Sequence, residues 1–288
     1  MKTVLACVVV VLVLAAAPGA SQSPSPRLQR PAGHSRYMFK STEQNPDKVS
    51  AIELQVGLTV KEGTPDVLTI ESGRVAEGGG EATPIQLSES CVREFGGRGG
   101  TIGSIELTEG LDPARLVPQC VPEGLFGATT DLVSILLVQH KFFGITALKV
   151  AGDSSRFPSF NSEWSRNEPA VHARVAAPGG AIRLATLEPG RAIIEWRPDP
   201  MEVTIVRRVA PSMAVVLRGQ ERFGLEVTVD PRTGALVGAR STEDRLDLQF
   251  WPVQGSEMPS LTGEMPGAGR PVTLVRAVSL VPALESGR

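Results

Sequence analysis

From residue 52 to residue 61 apolar and polar side chains alternate without a break: Ile52, Leu54, Val56, Leu58 and Val60 against Glu53, Gln55, Gly57, Thr59 and Lys61. Successive side chains of an extended chain point to opposite sides, so a period of two predicts a strand with one buried and one wet face. A strand of that kind belongs to an antiparallel sheet. The alternation returns at Ile85/Leu87, Ile105/Leu107, Ile182/Leu184, Ala192/Ile194/Trp196, Val203/Ile205, Leu225/Val227/Val229, Leu246/Leu248/Phe250 and Val272/Leu274. Each run is closed within a few residues by Gly, Pro, Asp or Asn, and many strands at such spacing predict a mainly β protein.

The sharpest turn signal is Asp230-Pro-Arg-Thr-Gly234, set between Leu225–Val229 and Ala235-Leu-Val237. Pro231 presets φ, Asp230 can accept from the turn amides and Gly234 tolerates positive φ, so a hairpin of fixed register is expected. One stretch departs from period two. Leu132 to Val138 is continuously apolar, preceded by Thr129, Thr130 and Asp131 and followed by Gln139, His140 and Lys141. A helix over 129–141, capped by one of the threonines, with Asp131 and Lys141 at the matching dipole ends, places Leu132, Ile135 and Leu136 on one face. Val133 and Leu137 make the other face apolar as well, which implies burial on nearly all sides, between two sheets. A buried strand is the alternative reading of the same run.

The front of the chain follows a different logic. Lys2 precedes an apolar run from Val4 to Ala17, with small residues and turn formers to Ala20. This is the layout of a secretory signal over residues 1–20, cleaved or retained as an anchor, and it is short for a membrane span. Residues 21–35 are rich in Pro and Ser and read as a flexible tether. A β-rich globular region, 36–288, follows. It divides into halves, 36–120 and 145–282, joined by the helix within 122–141, or forms one continuous sheet. Export leaves Cys91 and Cys120 as a pair, and in an oxidising compartment two thiols imply one disulfide. The expected location is secreted or periplasmic.

Composition sharpens this only by exclusion. Charged residues make up 21% and hydrophobic residues 41%, with 29 basic against 31 acidic side chains. That balance offers no basic face for nucleic acid. No Walker loop, Gly-x-Ser-x-Gly, Cys-x-x-Cys or His-Glu-x-x-His occurs, so neither a cofactor, a metal nor a catalytic set is assigned. The glycine-rich run Gly96–Gly103 lacks the strand-then-helix setting of a phosphate loop. Glu243, Asp244 and Asp247 lack calcium-loop spacing and read as the wet start of a strand. A hydrolase would need His140 or His172 to meet a serine such as Ser154 and an acid such as Asp153 across the fold.

Aromatics are 5% of the chain, yet Phe157, Phe160 and Trp164 fall together in a polar stretch, 152–169, beside Arg156 and Arg166. Rings with neighbouring arginines are enriched at recognition surfaces, so these five residues are the candidate binding site. The bland reading is that the rings pin a long loop to the sheet. Gln254 to Pro271 reads as a second long loop, of the kind used as lids, and Trp251 as the end of a core strand.

The hairpin Leu225–Val237 with the amphipathic strand Arg245–Trp251 resembles strand–Asp-Pro-x-Thr-Gly–strand units in exported bacterial proteins of the lipoprotein-carrier type. The resemblance covers under a tenth of the chain. It implies a curved antiparallel sheet around an apolar cavity that holds acyl chains, with segment 132–138 as the closing helix. The fold expected is therefore mainly β, an antiparallel curved sheet or two-layer, half-barrel arrangement with one buried helix. The function expected is a non-catalytic binding module for an apolar, lipid-like ligand between Leu132, Leu136, Val56 and Leu58. The alternatives are a surface or structural module that meets another envelope protein, and a hydrolase.

Overall fold

Among the described residues, fourteen strands carry the alternation into three dimensions: β1 (Gly33–Gln44), β2 (Val49–Val60), β3 (Asp66–Glu77), β4 (Thr83–Pro84), β5 (Gly103–Leu107), β6 (Ser154–Phe157), β7 (Phe160–Asn167), β8 (Ala170–Ala177), β9 (Gly180–Glu188), β10 (Arg191–Pro198), β11 (Met201–Ala210), β12 (Met213–Val229), β13 (Leu236–Gln254) and β14 (Arg270–Pro282). The computed structural model describes residues 33–44, 49–60, 66–85, 102–107, 128, 131–132, 134–136, 149–157, 159–167 and 170–283. The signal segment, Cys91, Cys120, His140 and the helix residues after Leu136 lie outside the described residues.

All strands belong to one antiparallel sheet in the order β4-β3-β2-β1-β14-β13-β12-β10-β9-β6, with β11, β8 and β7 continuing from the other half of β12. It is not closed into a barrel. β1 pairs with β14 from Tyr37↔Pro282 to Gln44↔Val275, so strands from both ends of the chain share one ladder. The fork at β12 is a crease and not a branch. Pairing of β6 with β9, Ser154↔Arg183 to Phe157↔Gly180, continues unshifted as Phe160↔Ala177 to Asn167↔Ala170 between β7 and β8. The β9–β10 and β8–β11 pairings share a register in the same way, Pro198↔Gly180 leading into Glu202↔Ala176. The breaks fall side by side, at Ser159, Pro178–Gly179 and Asp199–Pro200, where proline brings no amide to the ladder. Gly180 lets the strands close up here, since a Cβ would lie 2.5 Å from Pro198 Cα.

The predicted hairpin forms with the predicted parts. Asp230 Oδ1 accepts from the Arg232 amide at 2.8 Å, the Gly234 amide donates to the Asp230 carbonyl at 2.8 Å, and Gly234 sits at φ 75°. The Asp230 carboxyl is held below its ordinary value, first by that Arg232 amide.

β5 lies beside β3 at one edge of the sheet and β6 at the other. Between these two strands in sequence, the described helical residues pack on one face of the sheet. Ala128, Leu132, Ile135 and Leu136, at i, i+4, i+7 and i+8, are buried in one cluster with Phe39, Leu54, Val56, Leu58, Ile194, Leu225 and Leu280. The helix thus lies on one face of a single sheet and not between two, because the strands of both halves form one layer. It is already helical at Ala128, ahead of the threonines expected to cap it.

Further differences from the sequence reading have local causes. Gly33–Ser35, tether by composition, are the first residues of β1, paired to Leu58–Val60. Residues 154–157 and 160–167 are strands, not a loop; their register with β9 and β8 supplies the order that polar composition hides. Trp196 is core, edge-on to Phe223 at 5.5 Å between centroids. Trp251 instead lies half-buried under loop 255–269, donating from Nε1 to the Gly267 carbonyl at 3.2 Å. Arg218 ties the same loop down through the Leu261 and Gly263 carbonyls, both at 3.0 Å. No helix among the described residues is long and apolar enough to cross a membrane.

Close strand approach at Gly219 gives a test. A Cβ there would collide with the Asp247 carbonyl oxygen and lie 2.9 Å from Leu248 Cα, both backbone of β13. Gly219→Ala is expected to cost about 2–3 kcal/mol, and Gly263→Ala, whose Cβ would make only an ordinary contact with Ser260 Cβ at 3.4 Å, less than about 0.5 kcal/mol, in urea denaturation.

Candidate functional site

On the face that carries the helix, β12 runs Glu221, Phe223, Leu225, Val227, Val229, and β14 runs Val272, Leu274, Arg276, Val278, Leu280. One charged residue in each stands in the apolar phase. β13 brings the third by means of a bulge. Gly224 pairs with Glu243 but Leu225 with Ser241, and Arg240 pairs with Ser279 but Arg245 with Val275, so both neighbours see one extra residue at Thr242. An extra residue flips every later side chain to the other face. Ala239 is buried before the slip, and Asp244, Leu246 and Leu248 after it. Gly224 leaves the room that Thr242 Oγ1 occupies, and the Val278 amide, deprived of a regular partner, donates to Ser241 Oγ at 2.9 Å.

The helix supplies a fourth member, Asp131. Arg276 Nη2 lies 2.7 Å from Asp131 Oδ1, 2.9 Å from Asp244 Oδ2 and 3.8 Å from Glu221 Oε1, and Nε donates to Asp244 Oδ2 at 3.0 Å. The side chains of Asp244 and Asp131 are 0% and 7% exposed, which decides how the charges behave. Burial is the main cause that pushes the Asp131 carboxyl up to about 6, with Arg276 pulling against it and Asp244 adding to it. Burial likewise raises Glu221 to about 7, and Asp244 in the same direction. Burial would lower Arg276, but the three acids together hold it well above its ordinary value. One guanidinium faces three carboxyls, so the set retains protons close to neutral pH. Asp131 Oδ2 and Asp244 Oδ1 are buried without a hydrogen-bond partner among the described residues, each a cost of about 1–3 kcal/mol, and more when the carboxyl is ionised.

The buried apolar residues fall in two clusters, the large one around the helix and a smaller one, Val203, Leu246 and Leu248 with Ile205, Leu217 and Leu274, and Val175 packs against both. Leu132, Leu136, Val56 and Leu58 all fall in the large cluster.

The five residues of the sequence-based candidate are spread over two strands: Arg156, exposed, and Phe157 on β6, opposite Ala181 and Gly180; Phe160, Trp164 and Arg166 on β7, opposite Ala177, Ala173 and Val171. Among the described residues His172, Ser154 and Asp153 are not brought together, and His140 lies outside them. Ser154 on β6 is opposite Arg183 of β9, whereas His172 is on β8, opposite Ser165 of β7 and roughly 35 Å of extended chain before Arg183. Asp153 serves a turn, accepting from the Lys149 and Val150 amides at 2.7 and 2.8 Å, which lower its carboxyl. His34 bonds Thr59 Oγ1 at 2.9 Å and faces Glu71 at 3.3 Å, so it is tied to the sheet and not free in a tether. Asp244, read from sequence as a wet strand start, is the deepest acid among the described residues; Asp247, out of phase with Leu246 and Leu248, pairs with Arg245 on the other face. Glu221 and Arg276 were legible as charges in the apolar phase of their strands, a signal that charge composition alone passes over.

No protein-family model and no curated protein matches the chain. Among solved structures, an outer membrane channel from Pseudomonas putida F1 aligns over 90% of this chain and 100% of its own at 10% identity, with a TM-score of 0.17. A score that low carries no argument about fold or function.

The protonation of this set predicts a pH dependence. Folded-state values raised above those of the unfolded chain contribute stability below about pH 4 that is lost as pH climbs through about 6 and 7. The half-buried acids with lowered values, Asp153, Asp230 and Asp247, act in the opposite sense only in the acid range. Urea unfolding should therefore show greater stability at about pH 5 than at about pH 8.5, by on the order of 1–3 kcal/mol. Glu221→Gln should flatten that difference.

Proposed function

We propose that the protein is a non-catalytic binding module that works outside the cytoplasm and holds an apolar, lipid-like ligand between its sheet and its helix. The observation that carries this reading is the seating of the helix. Its apolar stripe, Ala128, Leu132, Ile135 and Leu136, rests on the buried face of an unclosed sheet. Strands are held to strands by ladder bonds, whereas a helix rests on a sheet through side-chain packing, and apolar contacts exchange readily for those of an alkyl chain. The joint between them is the place where the interior opens at least cost. The export-type N-terminus agrees with a carrier role, and another envelope protein is the natural donor or acceptor.

Native and denaturing mass spectra of the exported chain test it. The expected result is extra native mass that leaves on denaturation as a lipid-like species, together with saturable fluorescence of added 1-aminoanthracene that oleate displaces. A bare native mass with no saturable probe signal overturns the reading.

A further inference from the structure

Arg276 connects an element of side-chain packing to elements of backbone pairing. Arg276, Asp244 and Glu221 stand on β14, β13 and β12, neighbours whose backbones are fixed by the ladder. Glu43, half-buried on β1 and opposite Arg276 in register, adds to the negative field at Asp131. Asp131 is the member carried by the helix, and Arg276 reaches it at 2.7 Å.

We infer that Asp131, Glu221, Asp244 and Arg276 form a proton-operated latch that holds the helix to the sheet when the acids share protons and loosens it when they do not. The inference rests on the ligand reading above, because it assigns regulation to the same joint. One guanidinium offsets one carboxylate. With all three acids ionised, two negative charges remain in a region that solvent screens weakly, with Glu43 beside them. The strand-borne acids cannot separate without breaking ladder bonds. Asp131 can, by taking the helix with it. When Glu221 or Asp244 carries a proton, one net negative charge remains instead of two; with both protonated, Asp131 is the single carboxylate facing Arg276, and the contact to it is retained. The raised values of Asp131 and Glu221 place the change between about pH 6 and 7. Mild acid keeps the joint closed, and passage above neutral opens it.

Hydrogen exchange of the ligand-free full chain at about pH 5.5 and 8, read by mass spectrometry with labelling times scaled for intrinsic exchange, tests the latch. Amides of residues 128–136 are expected to exchange roughly tenfold faster at the higher pH after that scaling. Amides of Ile52–Leu58 in β2 should not change. Glu221→Gln, which removes one of the competing charges, should keep 128–136 protected at pH 8, and Asp131→Asn should make their protection independent of pH. Equal scaled protection at both pH values in the unaltered chain, or the full pH response of the unaltered chain retained in either variant, overturns the proposal. No ligand enters this measurement. A working latch without 1-aminoanthracene binding at either pH would therefore discard the carrier reading alone, while pH-independent protection with probe binding would discard the latch alone.

Discussion

The extra residue at Thr242 is the constraint on which the interior of this protein depends. β13 is nineteen residues long and lies at the centre of the sheet, paired on both sides. A strand of that length with unbroken alternation would present Ala239 and Asp244 to opposite faces. The slip puts them on the same one, so the apolar face continues from the hairpin at Asp230 to Leu248. Glycine at position 224 and the Ser241 hydroxyl make the slip tolerable, one by yielding space and the other by accepting an amide that the ladder no longer serves. Asp244 is the residue the slip carries inward.

Bringing an acid inward is expensive unless it is paired, and Arg276 supplies the pairing for three acids at once. Buried ion pairs add little net stability compared with apolar side chains of similar volume. What such a set adds is discrimination. A helix held by apolar contacts alone could slide along a face this broad, because leucines accept many neighbours. Asp131 against Arg276 fixes one position. The same set puts charge into a face whose two apolar clusters both touch Val175.

Much of this fold is legible in the chain. Ile52 to Val60 gives β2 with its buried phase intact, and Asp230 to Gly234 gives the hairpin down to its hydrogen bonds, because both are local: side-chain alternation and turn stereochemistry need no distant partner. What escapes the sequence is non-local. β3 hides its period behind a register shift opposite Gln55 and Val56. β7 looks like a polar loop because its order comes from β8. β1 has two buried rings, Tyr37 and Phe39, in twelve residues, and is held mostly by its neighbours. The charged set is the clearest case. Arg276 is in phase with Leu274 and Val278 and is readable as an intruder, but its partners lie 32 and 145 residues away, and only the register of β12, β13 and β14 and the path of the helix bring them together.

The crease through Ser159, Pro178–Gly179 and Asp199–Pro200 has a mechanical side. A ladder transmits bending from strand to strand through its regular bonds, and here Pro178 and Pro200, adjacent in register, contribute no donor. Stiffness is therefore discontinuous along that line. The part of the sheet built from β6, β9 and β10 and the part built from β7, β8 and β11 share continuous chain and one register, yet each can take up its own curvature, as two panels do on either side of a scored fold. A sheet this wide, left open at its edges, has a built-in axis about which to flex without losing a pair.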